Sequence, residues 1–449
     1  MRRPKLFLIL SITFSLFIIF LAPLARFAKP YIPFANYLLG TTQPTSYLVL
    51  LGNDAEMRAN GGFAGSYAKI IVSPPTVIPG LTRNLFKLIP IEPNIDLSFQ
   101  DIYVPNGQLK GHVTPPDPIQ QAFQHGSWEL ANADWEPDFP TSATTLRWFF
   151  EKGNEINPDN LVTLNLSTIK KILNVVGSFE VPEHQAQITP DNLYLFLQGK
   201  VEMNFFPGST QKKDTLTAVG LALKNALLHL PLTKKIQIAQ ILYLDLKNQN
   251  ILINSTNLDF QALLESKNFA GKLTSTSPDT YLLVETNLGA NKANAYITRN
   301  TIHTISHQEN QTTHKVTVNF QNSSIEANPN PPFHYGGNYI TYLRFYLPEN
   351  AKDINLDREV PTQKDKDAKK YQLSTNNKYD FIELGFWQVT PAQGESSVNL
   401  SYTLPIKKED YSLTILKQHG LVSSPQSILI NNHTISTPLT QDFLLNHTP

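Results

Sequence analysis

The periodicity of the apolar residues changes near Ser277, and that change limits the possible folds more than any other feature of the chain. From about residue 45 to 273, apolar strand-like runs alternate with helical patterns, which predicts an α/β layered domain. After Ser277 the stretches 280–285, 315–320, 339–346, 397–402 and 412–416 are short and rich in β-branched and aromatic residues. Many alternate with period two, which predicts an all-β sandwich. The expected organisation is a transmembrane anchor over 1–29, a linker over 30–44, a layered α-β-α domain over 45–275, a β-sandwich over 278–430 and a C-terminal tail over 431–449. The polar segment 328–332 and the charged insertion 357–370 read as sandwich loops.

Residues 6–25 are an uncharged apolar run. At ~1.5 Å per residue it matches the roughly 30 Å hydrocarbon core of a bilayer. The competing reading is a cleaved secretory leader, whose apolar core is shorter and ends in a small-x-small site. Ala25 follows Pro23 by two places and Ala28 follows Arg26, so neither makes a good cleavage site. Arg2, Arg3 and Lys5 precede the run, while Arg26 and Lys29 follow it, which favours a cytoplasmic N-terminus and an extracytoplasmic bulk. The chain has 0 cysteines, which excludes disulfides, thiolate zinc sites and thiol catalysis. Lys+Arg and Asp+Glu are both 37, so there is no overall basic field to attract nucleic acid.

Within the α/β region the local signals are specific. Tyr47 to Leu51 read as a strand buried on both faces, ending at Gly52, where such sheets place ligand crevices. Asn53, Asp54, Glu56 and Arg58 follow, and then Gly61-Gly62, which permits close backbone approach or positive φ. A helix is expected over 140–150 with Thr141 or Ser142 as its cap, and a strand over 160–166. A second helix carries Ile169, Ile172, Leu173 and Val176 on one face and stops at Gly177. Two further helices, 216–230 and 233–246, are split by Pro231, and a strand is expected at 251–253.

Glu56-Met57-Arg58-Ala59-Asn60-Gly61-Gly62-Phe63 resembles the uncharacterised bacterial envelope family called domain of unknown function 4012. Asn132-Ala133-Asp134-Trp135-Glu136-Pro137-Asp138-Phe139-Pro140 is similar to its second signature, and Asn287-Leu288-Gly289-Ala290-Asn291-Lys292 with Asn294 and Tyr296 to its third. Tyr342-Leu343-Arg344 and Lys417-Gln418-His419-Gly420 extend the likeness into the β region. More remotely, the first domain resembles the LytR-CpsA-Psr family. Those membrane-anchored enzymes move glycopolymers from a polyprenyl-pyrophosphate carrier onto peptidoglycan. Leu50-Leu51-Gly52-Asn53-Asp54 matches its strand ending, Gln100-Asp101-Ile102-Tyr103-Val104-Pro105 its second segment, and Lys212-Lys213-Asp214 stands near its Arg-Gln helix start.

That second resemblance implies magnesium held by Asp54, with Asp101 as a general base or as a support behind the metal ligand. Arg58, Lys212 and Lys213 are then the phosphate cations, and Asn53, Glu56, Gly61 and Gly62 belong to the ligand site. The pattern departs from that family at three points: its second metal Asp falls near Ala64 or Gly65, one Arg is replaced by Gln100, and another by Glu56. Two functions remain open. One is an envelope protein that binds or transfers polyprenyl-linked glycopolymer or cell-wall glycan. The other is a non-enzymatic surface scaffold in which Glu56 and Arg58 form a structural ion pair and the sandwich binds partners.

Overall fold

The computed structural model describes residues 29–74, 94–202, 211–325, 336–358 and 372–446. The expected anchor over 6–25, the loop 328–332 and nearly all of the insertion 357–370 lie outside them. Among the described residues no helix is long and apolar enough to cross a membrane.

The first domain is built on a mixed five-stranded sheet. Its strands are β1 (Thr45–Arg58), β2 (Gly61–Ser73), β3 (Asn94–Asp101) and β4 (Asn160–Asn165); after the small hairpin of β5 (Phe179–Val181) and β6 (Ala186–Ile188) comes β7 (Ile253–Ser255). The order is β3-β2-β1-β4-β7, with only β1 and β4 parallel. Six helices are used below: α1 (Phe139–Lys152), α2 (Leu166–Val176), α3 (Leu193–Glu202), α4 (Gln211–Leu228), α5 (Leu232–Lys247) and α6 (Leu258–Ser266). The period-two geometry of β1 decides which helix covers which face. Leu48 and Leu50 pack under α1 with Leu146, Phe149 and Phe150. Val49 points the other way, packing with Phe99, and Leu216 of α4 lies against them. This gives the expected α-β-α layering.

Three local expectations are corrected. Gly52 does not end β1: the strand passes through two register shifts, at Leu51/Gly52 and Asn53/Met57, and continues to Arg58, where β2 turns back and pairs with it. Gly61 and Gly62 therefore open a ladder strand and do not form a loop. The cap of α1 is Asp138, which accepts the Thr141 N–H at 3.1 Å; the carboxylate one position before Phe139 reaches the free amide better than Thr141 or Ser142 does. The expected strand 251–253 forms two residues later, as β7.

The second domain consists of two six-stranded sheets. Its strands are β8 (Asp279–Asn287), β9 (Ile297–Gln308), β10 (Gln311–Asn322), β11 (Tyr339–Pro348), β12 (Lys352–Arg358), β13 (Ser374–Lys378), β14 (Phe381–Thr390), β15 (Gly394–Leu404), β16 (Leu413–Leu416), β17 (Pro425–Ile430), β18 (His433–Pro438) and β19 (Phe443–Leu445). The sheet orders are β12-β15-β10-β9-β17-β18 and β13-β14-β11-β8-β16-β19. Their facing residues, among them Val316, Val318, Leu343, Phe345, Leu400 and Ile428, share one core. Residues expected as a tail after 430 supply β18 and β19, because β17 and β16 would otherwise have open edges.

One polar chain crosses this apolar core. His303 bonds to His314 and Gln426, each at 2.9 Å, and His314 meets Asp279 at 2.9 Å. Tyr402 and Tyr411 each donate to Asp279 at 2.6 Å. Burial, with the adjacent His314, pushes the His303 imidazole down from 6.5 to about 3. The folded state therefore keeps His303 neutral at pH values where the unfolded chain protonates it. Stability from this group is full above 6.5 and is lost as pH falls toward 3. In urea titrations, between pH 6.5 and 4.5 wild type should lose about 2 kcal/mol more than His303→Gln; equal losses would contradict the assignment.

Candidate functional site

The sequence cluster after Gly52 lies at the joint between the two domains. At the register shift Asn53 turns its Oδ1 onto the Ala55 N–H at 3.1 Å. Glu56 and Arg58 are both buried. Arg58 Nη2 meets Glu56 Oε1 at 3.0 Å, and Lys292, from the segment after β8, meets Glu56 Oε2 at 3.0 Å. Arg58 Nη1 also donates to the Asn287 carbonyl at 2.5 Å, and its guanidinium stacks 4.8 Å over the Phe63 ring. One carboxylate thus binds a cation from each domain.

Neutral groups complete the joint. The Gln418 amide donates to the Arg58 carbonyl at 3.0 Å and to the Glu285 carbonyl at 2.8 Å, and accepts the Glu285 N–H at 2.9 Å. The Met57 N–H donates to Asn294 Oδ1 at 3.1 Å. His419 bonds Asn60 at 2.9 Å, and Asn60 donates to Asp134 at 2.6 Å and to the Glu136 carbonyl at 2.7 Å. Burial pushes the Asp134 carboxyl up and His419 down to about 3. Trp135 lies 4.2 Å beneath the Arg344 guanidinium, which donates to the Trp135 carbonyl at 2.8 Å.

The glycines serve this packing. Gly61 has φ +134 and Gly420 has φ +71, conformations that an L side chain disfavours. A Cβ on Gly420 would overlap the Gly61 Cα, and one on Gly52 or Gly61 would run into the Asn165 amide. Asn165 accepts the Gly62 N–H at 3.0 Å and donates to the Asn250 carbonyl at 3.2 Å, tying β2 to β4 and to the loop before β7. The close backbone approach expected at Gly61-Gly62 is made by another part of the same chain.

The other expected site residues form their own bonds outside this cluster, although Tyr103 lies near enough to Glu56 and Arg58 to feel their charges. Asp54 accepts the Ser167 N–H at 2.7 Å in the first turn of α2, where the exposed helix amides favour a carboxylate. Burial pushes its pKa up to about 6 against the pull of Ser167, Lys170 and Lys171. Among the described residues no group of three His, Asp or Glu side chains is placed to hold a metal ion. Asp101, at the end of β3, pairs with Lys212 of α4 at 3.1 Å and accepts the Tyr103 N–H at 2.9 Å. Lys212 also donates to the Gly65 carbonyl at 2.5 Å. Tyr103 is exposed beside this pair, and Lys213 points to solvent.

A polar cleft of ≈ 380 Å³ opens on the other side of the joint, with Gln249, Asn268, Lys272, Lys417 and Asp442 in its wall. Burial pushes the Lys417 amine down to about 7, and Lys272 pairs with Glu265 at 2.9 Å, so the wall offers little unbalanced charge. Sequence reasoning did not single out Lys292, Gln418 and Asn165 as site residues. The first two stood in recognised motifs, but nothing local marks a residue as the partner of Glu56 some 236 positions away.

Removing one cation from the joint should be costly. Lys292→Met leaves Glu56 Oε2 buried without its partner, and urea denaturation should show a loss of about 3 kcal/mol. Adding Glu56→Gln should restore part of that loss. Additive effects of the two substitutions would show that the contact contributes no coupling.

Residues 42–201 match the family model described as Protein of unknown function (DUF4012). No curated protein matches the chain. Among solved structures, Bacillus subtilis TagV is 15% identical over 53% of this chain and 86% of its own, with a TM-score of 0.29. The Bacillus subtilis protein yvhJ, named a transcriptional regulator, is 13% identical over 53% and 84%, with a TM-score of 0.25. A Legionella pneumophila structure is 9% identical, with a TM-score of 0.21; the chain spans 50% of its length. At TM-scores below 0.5 none of these likenesses extends to chemistry. The match over 42–201 takes in β1, β2 and the Asp134–Asp138 segment, and so covers Glu56, Arg58 and Asn60 of the joint.

Proposed function

We propose that this protein is a membrane-anchored, extracytoplasmic component of the cell envelope that acts by holding partners, with the α/β domain as a rigid base and the β-sandwich as the presenting module. The observation that carries this reading is the joint itself: Glu56, Arg58 and Lys292 are buried and bonded to one another. A phosphotransfer site needs such groups turned toward a substrate and a metal. The anchoring part of the reading is supported by the uncharged run at 6–25 and the basic residues before it.

A second reading is favoured by one place in the fold. The Asp101–Lys212 pair, beside exposed Tyr103 and Lys213, lies at the strand ends where a polyprenyl-pyrophosphate-linked glycopolymer or other cell-wall glycan would bind in a LytR-CpsA-Psr-like protein, with magnesium near Asp54. Full-length protein in detergent, titrated with a polyprenyl pyrophosphate with and without magnesium, separates the two readings. Lys212→Ala is the informative variant, because Arg58→Ala would open the joint whether or not a ligand binds there. Absence of saturable binding is expected. Magnesium-dependent binding that Lys212→Ala weakens by about tenfold, the scale of one lost charge-assisted bond, would overturn the holding reading in favour of the second.

A further inference from the structure

The hairpin formed by α4 and α5 carries more apolar surface than the described fold covers. Helix α5 has apolar residues on every side, yet Ile238 is its only fully buried apolar residue among those described. A helix of that composition is normally enclosed. Leu232 is 73% exposed, Leu228 55%, Leu244 52% and Ile236 40%. Leu232, Ile236, Gln240 and Leu244 follow one another at i+4, so they form a single line along α5, which is about 24 Å long. Leu228 and Leu232 flank Pro231 at the tip.

This line has a direction. At its far end Tyr243 and Leu246 pack with Tyr31 and Phe34, so residues 29–38 enter the fold beside Leu244. The apolar run at 6–25 immediately precedes that entry. The charge is equally one-sided. Between Gln211 and Lys247 there are six lysines and two aspartates, in a chain of formal net charge +0. Asp245 is buried against Lys171 at 2.6 Å, while Lys235 is exposed beside the tip and Lys234 partly so. Apolar side chains flanked by lysines, on a helix face too exposed for an ordinary soluble surface, match the interface of an anionic bilayer.

We infer that the exposed face of α5 and the tip at Leu228 and Leu232 lie on the surface of an anionic membrane. This holds the α/β domain against the bilayer. The inference rests on the anchored reading given above, because the anchor sets which bilayer the face meets. The occupant is lipid, since the lysines beside the apolar line would be poorly placed against a basic or neutral protein surface.

The absence of cysteine allows a unique label. Full-length Leu232→Cys and Ile236→Cys, each carrying a bimane, would be reconstituted in phosphatidylglycerol nanodiscs with brominated lipids, with Leu429→Cys on β17 as the control. Quenching at 232 and 236 should exceed that at 429 by roughly twofold or more, and should fall with Lys234→Glu/Lys235→Glu or with purely zwitterionic lipid. Equal quenching at all three sites in protein that has entered the discs would overturn this inference alone. So would blue-shifted emission at 232 that brominated lipid does not quench, which would mean that another segment or a second copy covers the face. Failure of the full chain to enter discs would overturn the anchored reading and this inference together.

Discussion

The architecture depends on the cost of burying the Glu56 carboxylate. A carboxylate removed from water without compensation is strongly destabilising, and neither domain alone satisfies both oxygens of this one. Strand β1 supplies Arg58; only the docked sandwich supplies Lys292, together with the Asn287 carbonyl that accepts from Arg58 Nη1. Docking by a different face would leave a charge unpaired. The ion cluster therefore contributes to specifying one arrangement of the domains, and the contact of Gly420 with Gly61 allows their backbones to come close enough for it to form.

The same constraint explains why segments far apart in sequence share a character. The stretches around Glu56, Asp134, Lys292, Arg344 and Gln418 hold polar and charged residues that their own elements do not satisfy. Each finds its partner in another of these stretches: Asn60 with Asp134, Trp135 with Arg344, Arg58 with Gln418. Lys378 and Tyr379 extend the arrangement by reaching Glu136 at 2.9 and 3.1 Å. These residues look like the parts of a catalytic site, and in the folded chain they brace two domains.

The molecule is accordingly two-sided. The joint is closed, with the Glu56 carboxylate bonded to a cation on each oxygen. The basic hairpin of α4 and α5 lies on the α/β domain's own surface, and the mostly buried Asp101–Lys212 pair sits under exposed Tyr103. Within the sandwich, the Asp279–His314–His303 chain places a protonation-sensitive element in a core otherwise built of aliphatic and aromatic side chains.

The class of each half and much of the helix placement were legible in the residues alone, because apolar period, the glycine at 177 and the proline at 231 act over a few residues and report directly on local structure. It also marked the residues of the joint as unusual, since Glu56, Arg58 and the glycine pair stand out beside an apolar strand. Only the tertiary structure decided what they do. Whether Arg58 meets a phosphate or a neighbouring carbonyl depends on Asn287 and Lys292, and whether Gly61 admits a ligand or a backbone depends on Gly420. The continuation of β1 past Gly52 was hidden for the same reason: it depends on pairing with β2, and the energy of a ladder resides in two strands at once.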